Sequence, residues 1–194
     1  MPEEVYKLIA LDMDGVVNSS QLIYTWIDSR YKELAHIEDS IQRRLRAKEE
    51  YFKEFANGYE AIFPELAAKI SHICYETGAD IVWTSTWRNS YPYRQIKDAR
   101  YMFTRRGLLG DRLVGYTPDL GGDKYRCSRG AEIRSYLKSR EIAEGLNIRC
   151  AIIDDRPDAG DGVPEYAKLF LVDERIGVTD SIAEDVIAFL NRAD

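Results

Sequence analysis

Leu11-Asp12-Met13-Asp14-Gly15-Val16-Val17-Asn18 places two carboxylates two positions apart at the mouth of the apolar run Val5 to Leu11, and follows them at once with glycine. An apolar run of that length bounded by glycine reads as a buried strand. Open α/β sheets hold their ligands at the carboxyl ends of such strands. Two negative charges there need a partner, because a buried carboxylate is strongly disfavoured unless paired or bound to metal. A hard cation such as Mg²⁺ takes oxygen ligands and draws few of them from protein. The stretch therefore points to a metal-assisted carboxylate site.

Outward from this strand, strand and helix patterns alternate. Ser19 to about Ile62 is polar, aromatic and charged. Tyr24, Ile27, Tyr31 and Leu34 repeat there at helical spacing, as do Ile41 and Leu45, then Tyr51, Phe52, Phe55, Tyr59 and Ile62. Asn57-Gly58 and Phe63-Pro64 break the pattern, and Pro64 suits the first position of a new helix with Leu66, Ile70, Ile73 and Cys74 inward. Gly78 closes that helix, and Ala79 to Thr84 reads as a strand around Ile81-Val82-Trp83. A helix is predicted from Tyr91 to Arg105, then a Gly-rich stretch with a short strand at Leu113-Val114, then a helix from Arg129 to Glu144. Cys150 to Ile153 and Lys168 to Val172 read as strands, and Asp180 to Leu190 as a last helix behind the cap Thr179. Such alternation predicts a parallel α/β sheet with right-handed crossovers.

The 194 residues suit one domain with a small insertion, and 45% apolar with 31% charged residues is a globular composition. No apolar stretch approaches the ~18 residues of a membrane helix, and Met1-Pro2-Glu3-Glu4 lacks the pattern of a secretory signal. Cys74, Cys127 and Cys150 are odd in number and in no metal spacing, which predicts reduced thiols of a cytoplasmic protein. The net charge of −6 argues against a generic nucleic-acid binder. Thr86 to Arg129 departs from it, with ten Lys/Arg against four acids, a local charge of +6. That segment either faces an anionic substrate or is a solvated helix surface.

Three predicted strands end in chemistry: Asp12 with Asp14, Thr84-Ser85-Thr86, and Asp154-Asp155 with Asp158 four residues past Asp154. In a parallel sheet these ends point the same way and meet at one crevice. Several carboxylates cannot share a pocket without a cation. Asp12, Asp14, Asp154 and Asp155 together can supply oxygens to one Mg²⁺, with room for water and a phosphate oxygen.

The pattern resembles the haloacid dehalogenase (HAD) superfamily of phosphatases. Its motifs are an apolar strand with DxDG, a strand ending in Thr or Ser, a Lys or Arg, and a DD or DxxxD after another strand. More narrowly, the chain is similar to the HAD-like domains of Swiss Army knife RNA-repair proteins and their phage or bacterial relatives. That likeness is carried by Asp14-Gly15-Val16-Val17-Asn18, Trp83-Thr84-Ser85-Thr86-Trp87-Arg88, Arg129-Gly130-Ala131-Glu132-Ile133, Ile153-Asp154-Asp155, and Leu171-Val172-Asp173 before Gly177-Val178-Thr179.

The resemblance implies a three-layer Rossmannoid sheet with a small helical cap, residues 1–18 and 63–194 forming the catalytic core and 19–62 the cap. It also implies a Mg²⁺-dependent phosphomonoesterase. Asp12 would be the nucleophile that forms an aspartyl phosphate, and Asp14 the general acid and base. Thr84, with Ser85 beside it, would hold phosphoryl oxygens together with a cation, either Arg129 or Lys124. Arg88 either clamps a second phosphate or solvates a helix start. Trp83 and Trp87 read as packing residues, His36 and His72 as helix-surface residues. The expected substrate is a nucleotide or a phosphorylated nucleic-acid end. The alternatives are a small-metabolite phosphatase and a binding module without turnover.

Overall fold

Five parallel strands pair in the order β3-β2-β1-β4-β5 in the computed structural model, which describes residues 5–55, 61–89, 93–121 and 128–193. They are β1 (Tyr6–Leu11), β2 (Asp80–Trp83), β3 (Leu113–Tyr116), β4 (Ile148–Asp154) and β5 (Ala167–Leu171). Six α-helices accompany them among the described residues: α1 (Ser20–Glu33), α2 (Ser40–Glu54), α3 (Pro64–Thr77), α4 (Ile96–Arg105), α5 (Arg129–Glu144) and α6 (Asp180–Asn191). The arrangement is the expected α/β Rossmann-like sheet of the HAD fold.

β1 is central because both of its faces are apolar. Leu8 and Ala10 join Val82, Cys150 and Ile152 against Ile133 and Leu137 of α5. Ile9 and Leu11 join Ile81, Trp83 and Ile153 against Ile70 and Ile73 of α3, Met102 and Phe103 of α4, and Val186 and Leu190 of α6. Period-two alternation in strands buried on both faces thus makes the three layers.

The helix ends follow their sequence signals. Pro64 opens α3 and Gly78 closes it in the left-handed region at φ 71°. Ser128 and Thr179 accept from the backbone N–H of Ala131 and Ile182 at the starts of α5 and α6. Helix α4 starts at Ile96 rather than at Tyr91. Tyr93 is instead a buried residue of the preceding turn, with its ring 6.1 Å from that of Trp83.

The 19–62 segment carries α1 and α2, which pack on each other. Trp26 sets its ring edge-on to Tyr51 and Phe55, with centroids 5.6 and 5.8 Å away. Ile27, Leu34, Ala47, Tyr51 and Phe55 share one apolar cluster with Met13, Val17 and Phe63, so these helices lean on the carboxyl end of β1. The side of α2 that does this is Ala47, Tyr51 and Phe55, at i, i+4 and i+8. Ile41, Leu45 and Phe52, from the same helical pattern, lie exposed. Tyr59 and the Asn57-Gly58 break lie outside the described residues. Among the described residues, no helix is long and apolar enough to cross a membrane. Cys74 and Cys150 are buried free thiols, pushed up to about 12 by burial, and Cys127 lies outside the described residues.

Candidate active site

Backbone bonds beyond the strand ends bring three motifs to one level. The Asp12 N–H donates to the Ile153 carbonyl at 3.1 Å, the Thr84 N–H to the Leu11 carbonyl at 2.9 Å, and the Val172 N–H to the Asp154 carbonyl at 3.0 Å. Asp12 therefore lies between Thr84 on the β2 side and Asp154 on the β4 side. All three residues are almost completely buried.

After Asp12 the chain turns sharply. The Met13 carbonyl accepts from Val16, Val17 and Asn18 at 3.2, 3.1 and 3.3 Å. Gly15 is required here on two counts. Its φ is +71°, and a Cβ at this position would stand 2.5 Å from Oδ2 and 2.9 Å from Cβ of Asp155. The glycine after the acidic pair is what lets the fourth-motif carboxylate come close.

Arg129 enters from the first turn of α5. Its guanidinium donates to Asp12 Oδ1 at 3.3 Å and to the Thr84 carbonyl, and both members of the ion pair are buried. The sequence left Lys124 and Arg129 open as the third-motif cation; Lys124 lies outside the described residues, and Arg129 is the cation on Asp12. Asp158 holds the start of α5, accepting from the Arg129 backbone N–H at 3.1 Å and pairing with Arg156 at 2.9 Å. Gly130 makes this docking possible, since a Cβ there would lie 2.8 Å from Asp161 N and 2.9 Å from the Asp158 carbonyl.

Arg88, read from sequence as a second-phosphate clamp or a solvating residue at a helix start, is buried in an ion pair. Its side chain is buried against Glu132 at 2.8 Å and donates to the Thr84 carbonyl and, at 3.4 Å, to the Pro118 carbonyl. It ties the turn after β2 to α5 and so braces Thr84 and Arg129 against each other. Ser85 is buried, and its hydroxyl accepts from the Trp87 N–H at 3.4 Å. Thr84 is the hydroxyl of the pair that has no partner: its Oγ1 is buried and unbonded among the described residues.

Asp12, Asp154 and Asp155 each offer an oxygen within 4.8 Å of the others. Oxygens on a Mg²⁺ octahedron with bonds of about 2.1 Å stand about 3.0 Å apart at neighbouring positions and about 4.2 Å apart across it, so the three side chains would draw together around one such cation. Asp154 Oδ2 is buried and has no hydrogen-bond partner among the described residues, a cost of about 1–3 kcal/mol for a neutral group and more for a charge. An acceptor left bare in this way suits a metal ligand. Asp14, counted among the metal residues from sequence, is outside the triad. Its side chain is exposed, with Oδ1 accepting from Asn18 Nδ2 at 3.0 Å and Oδ2 from Trp87 Nε1 at 2.8 Å. The triad is therefore Asp12, Asp154 and Asp155.

Burial lifts Asp12 and Asp154 above the ordinary carboxylate range. The Arg129 charge opposes this at both, while the Asp12 charge raises Asp154 further and the Asp14 and Asp155 charges raise Asp12. Asp155 is raised as well, first by burial and then by the Glu174 charge. A folded-state value above the unfolded one means that the folded chain binds more protons in that window. Stability from these groups is thus present at low pH and lost as pH rises through the folded values. Asp158 and Asp173 are lowered and lose their contribution only below the ordinary carboxylate range. With chelator present, thermal denaturation is expected to give a lower Tm at about pH 8 than at about pH 5.5. Added Mg²⁺ is expected to raise Tm by several degrees at the higher pH and by less at the lower, where protons compete for the oxygens. A metal-free Tm that climbs over this range would contradict the clustering of these three acids.

A parallel Rossmann-like sheet with buried carboxylates at its carboxyl edge is the arrangement of the HAD fold. Residues 8–183 match the family described as the HAD domain in Swiss Army Knife RNA repair proteins, and the chain belongs to that family. A HAD domain places it in a phosphatase and hydrolase family that typically uses a divalent metal. Comparison with curated proteins gives no match.

Several contributors to the site carry no local signal in the sequence. Trp87, read as a packing residue, is buried and also donates to the exposed carboxylate of Asp14. Glu132 and Gly130 sit within the quoted Arg129-to-Ile133 stretch, but their roles depend on Arg88 and on the turn after β4.

Proposed function

We propose that the chain is a Mg²⁺-dependent phosphomonoesterase that works through an aspartyl phosphate at Asp12, on nucleotides or phosphorylated nucleic-acid ends. One observation carries this reading. Asp12 is flanked by two buried oxygens without partners among the described residues, Thr84 Oγ1 on the side of β2 and Asp154 Oδ2 on the side of β4. The first suits a phosphoryl oxygen, the second a cation.

The proposed reaction has two halves. A carboxylate oxygen of Asp12 attacks phosphorus, the bond from phosphorus to the ester oxygen breaks, and Asp14 gives its proton to that leaving oxygen. In the second half water attacks the same phosphorus, Asp14 takes up the water proton, and the bond to Asp12 breaks to release phosphate. Thr84 Oγ1 and the Arg129 guanidinium orient the phosphoryl oxygens and favour the charge that gathers on them. A Mg²⁺ held by Asp12, Asp154 and Asp155 would supply charge neutralisation between the nucleophile and the dianionic ester.

Helices α1 and α2 would act as a cap over this centre, with residues 1–18 and 63–194 as the catalytic core. Tyr51 and Phe55 on α2 support that role, because they share one apolar cluster with Met13 and Val17 of the turn that carries Asp14. The nucleotide preference rests on the +6 segment and on the RNA-repair proteins in which this family's domain occurs. Within that segment Arg94, Lys97 and Arg105 are exposed, whereas Arg88 and Arg129 are buried. Buried, unreactive Cys74 and Cys150 suit a reducing compartment, and the cytoplasm is the proposed location.

A substrate panel tests the reading: nucleoside 3′- and 5′-monophosphates, phosphorylated oligonucleotides and sugar phosphates, each with Mg²⁺ or with chelator. Nucleotide or oligonucleotide phosphates are expected to be preferred by at least about tenfold in kcat/KM, about 1.4 kcal/mol. A preference for sugar phosphates would replace the nucleotide assignment with a metabolite phosphatase, and no turnover of any ester would favour a binding module.

A further inference from the structure

We propose that Trp87 and Asn18 are positioning residues for Asp14, holding its carboxyl group where it delivers a proton to the leaving oxygen. This inference rests on the phosphatase reading above and assigns a role to two residues outside its phosphate and metal contacts.

Asp14 needs such help because of where it sits. Asp12 is locked by burial, by its backbone bond to Ile153 and by Arg129. Asp14 is exposed, and an exposed Asp samples several rotamers in solution. A general acid that wanders loses most of its effect, since proton transfer demands hydrogen-bond reach of the reacting oxygen. The two donors remove this freedom by taking one oxygen each: Trp87 Nε1 on Oδ2 at 2.8 Å and Asn18 Nδ2 on Oδ1 at 3.0 Å.

Both donors are themselves fixed. The Asn18 side-chain oxygen accepts from the Gly15 N–H at 2.8 Å, which orients its amide with the nitrogen toward Asp14. Asn18 is 5% and Trp87 6% exposed, so neither moves freely. Trp87 lies in the short helical turn Thr86–Asn89, which Arg88 pins through Glu132 and the Thr84 and Pro118 carbonyls. The indole reaches Asp14 across 73 positions of sequence, from the loop after β2 to the loop after β1.

The chemistry gives these donors a direction. As the ester bond breaks, the proton leaves the Asp14 carboxyl for the leaving oxygen, and the electron pair of that O–H bond stays on Asp14 as carboxylate charge. Indole and amide N–H groups already aimed at both oxygens favour the charge as it develops, without reorganising. The help matters for a leaving group that must be protonated, such as a nucleoside or alkyl alcohol. It matters little for p-nitrophenolate, which departs as an anion.

The test is the leaving-group dependence of Trp87→Phe, which keeps a ring in the pocket and removes the N–H. With Mg²⁺ present, kcat/KM is measured for an alkyl phosphate and for p-nitrophenyl phosphate, because this ratio reports the steps through ester cleavage. The expected result is a loss of about tenfold or more on the alkyl ester and less than about threefold on the aryl ester. Asn18→Asp, which replaces the amide donor by an acceptor, is expected to give the same selectivity. It serves as the second variant should the first fail to fold. Equal losses on both esters, or no loss on either, would overturn the positioning role while leaving the phosphatase reading intact. A parent protein inactive on both esters would overturn the phosphatase reading, and this inference with it.

Discussion

Asp12→Asn is expected to lower Mg²⁺-dependent phosphate release from an aryl phosphate by at least about a thousandfold, because the amide cannot act as the oxygen nucleophile. The fold should survive the change. Asp12 lies among three acids that burial and mutual repulsion push above the ordinary carboxylate range, so removing one negative charge relieves the metal-free protein. A chelator-treated Asp12→Asn variant should therefore melt near or above the parent: Arg129 loses its ion pair with Asp12, but the Asp154 and Asp155 charges and the Thr84 carbonyl still face it. Activity and stability move in opposite directions, and circular dichroism melts beside the phosphate assay read both. Turnover near that of the parent would remove Asp12 from the mechanism.

Arg129→Ala is expected to damage both properties. It removes the cation from buried Asp12 and the donor from the Thr84 carbonyl, and it leaves a cavity at the start of α5. Stripping one partner from a buried pair costs about 3–5 kcal/mol, because the other charge stays behind in low dielectric. Without metal, Tm is expected to fall by about 10 °C or more for a domain of this size. Mg²⁺ should recover part of that fall by taking over the charge of Asp12. Turnover should stay reduced about a hundredfold or more, because a metal does not replace the guanidinium on the phosphoryl oxygens. Full recovery of kcat in Mg²⁺ would confine Arg129 to holding the fold.

The legible part of the fold lies where physical chemistry is local. β1 declares itself by an apolar run, α3 by Pro64 and Gly78, and α6 by the cap Thr179. Asp12, Thr84 and Asp154 were legible as a group because a parallel sheet aligns its strand ends, whatever the sequence distance between them. What the sequence leaves silent is set by partners far along the chain. Arg88 looks like a surface cation until Glu132, 44 positions on, is folded against it. In α2 two apolar stripes compete, and only the docking against Met13, Val17 and Phe63 selects Ala47, Tyr51 and Phe55 over Ile41 and Leu45. Asp14 was grouped with the metal residues because all nearby carboxylates look alike in sequence. The geometry separates it, through an indole and an amide that bind its oxygens.

The central claim is covalent transfer of the phosphoryl group to one carboxylate of the acidic pair. Trapping that intermediate is the most direct test. The protein is mixed with substrate and Mg²⁺, quenched in acid and treated with borohydride, which reduces an aspartyl phosphate to an alcohol that peptide mass spectrometry can locate. The reduced site is expected at Asp12 alone, absent with chelator and absent in Asp12→Asn. Turnover without any trapped residue, or trapping at Asp14, Asp154 or Asp155 in place of Asp12, would contradict it.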